Sequence, residues 1–304
     1  MAKTIKIGTR DSELALWQAN TVKDKLENLG YKTQLVKVKS TGDLILDKPL
    51  YELGITGIFT KTLDLAMING TIDIAVHSMK DVPTALPKGI IQAAVLKRAS
   101  VEDLLVYKEE LDFLNSASII ATGSLRRKAQ WLHKYPTHHL VDLRGNVNTR
   151  LKKLEDNKWS GAIFAKAGLE RINLMPKNHV VLDWMIPAPA QGAMLIVAMK
   201  NDEFSKKAVS ELNHKETEIC THIERDFLRE LEGGCSAPIG ALAKIENKNI
   251  IFKGILFSLD GKRKVEVEKI ISKDNYYDAG KVFAQEILRN GGKELMCEIK
   301  AELK

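Results

Sequence analysis

Short apolar runs alternate with amphipathic stretches through the first two thirds of this chain, and that rhythm restricts it to the α/β folds. Lys3 to Gly8 reads as a strand. Ser12 to Leu29 reads as a helix with Leu14, Leu16, Trp17, Val22, Leu26 and Leu29 apolar and Gly30 as its stop, and Thr33 to Lys39 as the next strand. The pattern resumes with a helix over 60–69, a buried strand at Ile72 to Val76 and an apolar run at Ile90 to Leu96. Strands at Ser118 to Ala121, Leu140 to Leu143 and Gly161 to Phe164, each followed by a helical segment, imply a second, mostly parallel sheet with helices on both faces. After Pro187 the character changes. Ala193 to Met199 is expected to return to the first sheet, so that two α/β domains share two connecting segments as a hinge. Thr217 to Leu231 reads as a helix with Ile219, Ile223, Phe227, Leu228 and Leu231 on one face, ending in Gly233 and Gly234. Strands at Ile239 to Ile245, Ile250 to Ser258 and Lys264 to Ile271, a turn at Asp260 and Gly261, and a helix from Tyr277 to Asn290 complete a small α+β domain. The expected division is 1–97 with 194–214, then 98–193, then 215–304.

The net charge of +7 is compatible with a nucleic acid, an acidic membrane or an anionic small molecule as partner. The distribution of cations narrows this. Eleven of the 46 basic residues are Arg, and Arg126, Arg127, Arg144, Arg150 and Arg171 fall close together. Lys suffices for solubility, whereas the planar guanidinium grips a carboxylate or phosphate through two parallel hydrogen bonds. Aromatics at 6% and not interleaved with the basic residues speak against nucleic acid. The longest uninterrupted apolar run, Ala193 to Met199, falls far short of the ~18 residues that span a bilayer, and Met1 to Arg10 lacks the apolar stretch of a secretory signal. A cytoplasmic location is therefore expected. The three cysteines, Cys220, Cys235 and Cys297, are too widely spaced for CxxC pairs, so no metal site is expected.

Three times a strand runs directly into a polar turn and then a helix: Gly8 to Ser12, Thr122 to Arg127, and Arg144 to Arg150. Backbone N–H groups at a helix N-terminus attract anions, and ligands of open α/β sheets sit at the carboxyl ends of strands. Ser12, Ser124 and Asn146 are also plain N-cap residues. The segment Asp73 to Pro83 ends a hydrophobic strand in a cluster of ionisable side chains. Asp81 there is either a turn residue or a carboxylate that steadies a cation or moves a proton, and His77 reads as structural. Cys235, after Gly233 and Gly234 and three residues before Pro238, sits in a shaped loop suited to present a nucleophile or covalent anchor. Cys220 and Cys297 read as small buried hydrophobes.

Together these segments resemble the porphobilinogen deaminase family. The resemblance rests on Thr9, Arg10 and Ser12; on Leu14 to Ala19; on Gly42, Asp43 and Asp47; on Ala75 to Pro83; on Gly123 to Arg127; on Leu143 to Arg150; on Gln191 to Ala193; and on Leu231 to Gly240. It implies two α/β domains shaped like a periplasmic binding protein, a cleft between them as active site, and a small C-terminal α+β domain. It implies a dipyrromethane cofactor, one per chain, held through a thioether at Cys235, on which four porphobilinogen molecules are condensed head to tail with loss of ammonia. By the same resemblance Asp81 is the catalytic carboxylate. Lys80, Asp81, Thr122, Ser124, Arg126, Arg127, Arg144 and Gly145 match cofactor-binding positions. Arg10, Ser12, Arg144, Arg150, Arg171 and Gln191 match substrate-binding ones. A monomer is expected, with no nucleic-acid or membrane partner. The chemistry requires neither nicotinamide nor metal, because a fixed carboxylate can stabilise the azafulvene cation left when ammonia departs. Four positions depart from the family pattern: Thr56 stands where Lys is common, Thr62 where Glu is, Glu13 where Pro is, and Ala190 where Gly is. An anion receptor without catalysis is the rival reading, and it leaves Asp81 and Cys235 idle.

Overall fold

The structure, a computed structural model, describes residues 3–39, 60–231 and 237–303. The chain forms two compact units, one of residues 3–39, 60–99 and 192–218 and one of the described residues within 100–191 and 219–303. The first holds β1 (Thr4–Thr9), α1 (Glu13–Asn28), β2 (Lys32–Lys37), α2 (Lys61–Ile68), β3 (Ile74–Ser78) and β4 (Ile90–Val95). The second takes β5 (Asp103–Tyr107), β6 (Ile119–Ala121), α3 (Leu125–Lys134), β7 (His139–Val141), α4 (Val147–Asp156), β8 (Gly161–Ala165), α5 (Lys166–Arg171) and β9 (His179–Val181). The chain then returns to the first unit with β10 (Met194–Met199) and α6 (Glu203–Ser210). After α7 (Lys215–Glu230) come β11 (Ile239–Glu246), β12 (Asn249–Phe257), β13 (Lys264–Ser272), α8 (Ala279–Ile287) and α9 (Lys293–Glu302).

The two larger sheets are built to one plan without a sequence repeat. The first has strand order β2-β1-β3-β10-β4 and the second β7-β6-β8-β5-β9. In each, a parallel trio is followed by one antiparallel strand and then by a strand parallel to the trio. The return of Ala193 to Met199 to the first sheet is observed: β10 lies between β3 and β4, with Ile196 opposite both Val76 and Ala94. The sequence reading did not name β5, β9, α6 or α9.

The apolar face of α1 is as expected at Val22 and Leu26 and differs elsewhere. Ala15, Gln18, Ala19, Val22 and Leu26 are buried, whereas Trp17 and Leu29 are exposed. Small Ala15 and Ala19 let the helix approach the sheet closely, and bulky side chains on that face would hold it off. Ala19, Val22 and Leu26 pack with Ile5, Ile7, Ile74, Val76 and Ile196. The C-terminal portion is an antiparallel sheet, β11-β12-β13, whose Ala241, Ala243, Ile250, Phe252 and Leu256 pack with α7, α8 and α9. Ile219, Ile223, Phe227, Leu228 and Leu231 of the α7 segment are all buried there, as the spacing predicts. Cys220 joins this core, but Cys297 is exposed on α9, because Leu295, Met296 and Ile299 take the inner face of that helix. No helix among the described residues is long and apolar enough to cross a membrane.

Candidate active site

The carboxyl edge of each parallel trio carries the polar residues named above. In the first unit, β1 and β3 are adjacent and parallel, with Gly8 opposite Ala75, so the turn Arg10 to Ser12 and the 3-10 turn Met79–Asp81 emerge at the same edge. Ser12 caps α1 by accepting from Ala15 N at 3.4 Å. Gln18 of α1 donates to Ser78 Oγ at 2.8 Å, joining the helix to the end of β3. The first N–H of the Met79–Asp81 turn bonds to Ala193 O at 3.0 Å, so the lead-in to β10 holds this turn. Lys80 is half-buried and Asp81 exposed. Among the described residues no hydrogen bond or ion pair engages the Asp81 carboxylate, which caps no helix. His77 is buried, and burial, with the nearby positive charge of Arg10, lowers its pKa to about 4; it is a neutral side chain.

In the second unit the two remaining donor turns are neighbours. β6 and β7 are parallel, and Thr122 N donates to Val141 O at 2.9 Å. Ser124 N donates to Thr122 Oγ1 at 3.3 Å, and Ser124 caps α3 by accepting from Arg127 N. Asn146 caps α4, accepting from both N and Oγ1 of Thr149. Two glycines make this arrangement possible. Gly145 has φ +111, a conformation that disfavours any side chain. A Cβ at Gly123 would stand 2.5 Å from the Leu143 carbonyl oxygen, a backbone atom that cannot swing aside. Gly123→Ala should therefore push the two turns apart and cost about 1–3 kcal/mol, read as a lowered thermal midpoint; an unchanged midpoint would mean that the turns do not need this contact.

Helix α3 buries charge where most helices bury apolar residues. Arg126, Arg127, Ala129, Gln130 and Trp131 form its inner face. Both arginines meet Asp103, the first residue of β5, which is 0% exposed: Arg126 Nη1 lies 2.8 Å from Oδ2, and Arg127 Nη2 2.7 Å from Oδ1. Arg127 Nε also donates to Oδ1 at 3.0 Å, and its Nη1 to Ile163 O at 2.9 Å. Arg126 Nη1 donates to Ile186 O at 2.8 Å. Gln191 is buried and donates from Nε2 to Asp103 Oδ1 at 2.9 Å and to Val101 O at 2.8 Å. Asp103 escaped the sequence reading together with its strand. A charge heading the apolar run Leu104 to Val106 was the available signal.

Burial lowers the pKa of Arg144, opposed by Asp142, and lowers that of Arg171 to about 10, opposed by Glu170. Both remain cations at neutral pH. Arg150 lies in the first turn of α4 and Arg171 at the end of α5. Ala190, where the family commonly has Gly, adopts φ +62, and its N–H donates to the buried Glu224 carboxylate at 2.6 Å. Left-handed strain of about 1–2 kcal/mol disfavours Ala there. Burying a methyl (~0.8 kcal/mol) and restricting the unfolded chain (about 0.4–1 kcal/mol) favour it. The two sides nearly cancel, which is why Ala is accommodated. Cys235, with Gly42, Asp43, Asp47 and Thr56, lies outside the described residues.

Fold and donors define a mixed α/β protein with clustered cationic and backbone donors at its strand-to-helix turns and an exposed carboxylate, Asp81, at the end of a strand. Residues 5–207 match the family model for the porphobilinogen deaminase dipyrromethane cofactor binding domain, and 218–289 match that for the porphobilinogen deaminase C-terminal domain. A porphobilinogen deaminase of Chlorobium phaeobacteroides is 40% identical over 99% of both chains. A probable porphobilinogen deaminase of Methanocaldococcus jannaschii is 46% identical over 82% of this chain and 86% of its own. Among solved structures, the methionine binding protein MetQ covers 69% of this chain and 89% of its own at TM-score 0.46 and 16% identity. The chain belongs to the porphobilinogen deaminase family. It is a transferase of tetrapyrrole biosynthesis, a hydroxymethylbilane synthase, and its first family domain is the one that binds dipyrromethane.

The donor set fits such a group. The second unit offers buried guanidinium groups and the capped N-termini of α3 and α4, donors suited to an anionic group. Arg126, 4% exposed, has an Nε with no hydrogen-bond partner among the described residues. A buried donor left so is costly unless a ligand satisfies it.

Proposed function

We propose that this chain joins four porphobilinogen molecules into hydroxymethylbilane on a dipyrromethane primer fixed to Cys235, with Asp81 as the catalytic carboxylate. The observation that carries this reading is the pairing of Arg126 and Arg127 with Arg144 and Arg150 on two adjacent strand-to-helix turns. When bound, the cofactor supplies the pyrrole carbon from which the chain grows. Lys80, Asp81, Thr122, Ser124, Arg126, Arg144 and Gly145 hold it, with Arg127, also a matched position, acting through its bonds to Asp103. Arg10, Ser12, Arg144, Arg150 and Arg171 orient the incoming substrate's carboxylates, while Gln191, also a matched substrate position, acts through the bonds of its Nε2 to Asp103 and the Val101 carbonyl.

Asp81 does the chemistry that positioning cannot. Loss of ammonia from the substrate's aminomethyl group leaves a cation delocalised over the pyrrole, and a carboxylate beside the pyrrole N–H stabilises that charge and carries the proton released on carbon–carbon bond formation. An exposed carboxylate without a protein partner among the described residues is available for both tasks. The neutral His77 behind it adds no competing cation. The reading includes a three-domain division at 1–97 with 194–214, 98–193 and 215–304, and a monomer acting in the cytoplasm; the three separate sheets support the division.

The test is the intact mass of the purified chain. It should exceed the sequence mass by two linked pyrrole units, and digestion should place the surplus on the peptide containing Cys235. A fully active chain of unmodified mass would overturn the reading.

A further inference from the structure

Two arginines that the family pattern ties to ligand carboxylates already share one carboxylate of the protein. Asp103 Oδ1 receives Arg127 through Nε and Nη2, and Oδ2 faces Arg126 Nη1 at 2.8 Å. Each oxygen thus meets one of the two guanidinium groups. Gln191 fixes that carboxylate from a third side through Nε2, which also holds the Val101 carbonyl. The carbonyls of Ile163 and Ile186 pin the far sides of Arg127 and Arg126. Asp103, Arg126, Arg127 and Gln191 are all buried, where water cannot substitute for a lost partner.

We propose that Asp103 is a positioning residue for ligand-carboxylate binding, one that locks Arg127 as a strut and leaves Arg126 to present donors to the cofactor. The donor inventory separates the two roles. Arg127 makes one bond from each of Nε, Nη1 and Nη2 to groups of the protein, while Arg126 commits Nη1 and keeps a buried Nε without a partner among the described residues. Asp103 also offsets one of the two positive charges, so the buried pair carries a net single charge, matched to one ligand carboxylate rather than two. Arginine's rotamer freedom is then surrendered during folding and is not charged against binding, which is what preorganisation means for a long side chain. This inference rests on the cofactor reading above.

Three full-length variants test it: Asp103→Asn, Asp103→Glu, and Leu154→Ala as a buried control in the same unit. Each is purified and read by thermal midpoint and by the fraction of chains carrying the two-pyrrole mass. Asp103→Glu keeps the charge but moves the carboxylate by one methylene, a displacement of about 1 Å, and misplacement of that size costs roughly 10- to 100-fold where geometry governs. The loaded fraction of Asp103→Glu should fall by that order while the chain remains folded, and Asp103→Asn, if it folds, should load no better. Leu154→Ala should lose thermal stability and load normally. Asp103→Glu loading like wild type would show that Asp103 serves only as a counter-ion and would overturn the assignment, as would loading that follows the midpoint across all three. Wild type lacking the surplus mass would instead overturn the cofactor reading itself.

Discussion

Asp81→Asn should leave the protein folded and loaded with cofactor while turnover falls by roughly 10²- to 10⁴-fold, the usual worth of a positioned acid–base group. The sequence allowed a second role for this residue, as a cap or turn former whose loss costs about 0.5–2 kcal/mol. The structure places Asp81 in a turn but gives its carboxylate no part in holding that turn among the described residues. Asp81 ends a three-residue 3-10 turn, is exposed, and its carboxylate accepts no hydrogen bond among the described residues. An exposed substitution free of such contacts changes stability by no more than about 0.5 kcal/mol. The turn itself is held by the backbone bond from Met79 to Ala193 O, which the substitution does not touch. The amide of Asn keeps the side chain's shape and loses its charge, so substrate binding should survive and the loss should fall on kcat more than on KM. Thermal midpoint and single-turnover ammonia release measured on one preparation check both halves. A lowered midpoint with unchanged release would take Asp81 out of the mechanism.

Cys235→Ala should give a chain with no surplus mass and no product. Cys297→Ala should keep both. The contrast matters because Cys297, expected in the core, is exposed on α9 and is therefore a thiol that reagents can reach. Reactivity towards an alkylating reagent will not by itself identify the cofactor thiol. Cys220 is packed among Ile219, Ile223 and Phe227, so Cys220→Ala should lower the midpoint by thinning that core and leave the mass surplus in place. A surplus that persists in Cys235→Ala, or vanishes in Cys297→Ala, would relocate the attachment.

Much of the fold was legible because most strands and helices carry their signal locally. Ser12, Ser124 and Asn146 announce helix starts, and each is the observed cap. The C-terminal hairpins appear within about a residue of the boundaries read from alternation. What escaped was information that no local window contains. Strand β5 pairs with β8 and β9, residues far along the chain, so nothing near Asp103 shows that its carboxylate will meet Arg126 and Arg127. The periodicity of α1 favoured its largest apolar side chains, Leu16 and Trp17, whereas close packing selected its alanines. Gln191, read as a substrate ligand, shows a contact of another kind: its amide holds Asp103. Gly123 belongs to one of the matched segments, and only its distance to the Leu143 carbonyl explains why glycine stands there.

The strand order of the first sheet has a consequence for how the protein is made. Strand β10 separates β3 from β4, yet it is encoded about a hundred residues after β4, behind the whole of the second sheet. A nascent chain that has released β1 to β4 has two edges, on β3 and β4, that cannot join each other in the native order. Every strand of the second sheet among the described residues lies between residues 103 and 181. Domains of a growing chain ordinarily mature from the N-terminus onward; here the first sheet to be translated is the later one to close. Until Met199 has left the ribosome, β3 and β4 present open edges of the kind that recruit other chains.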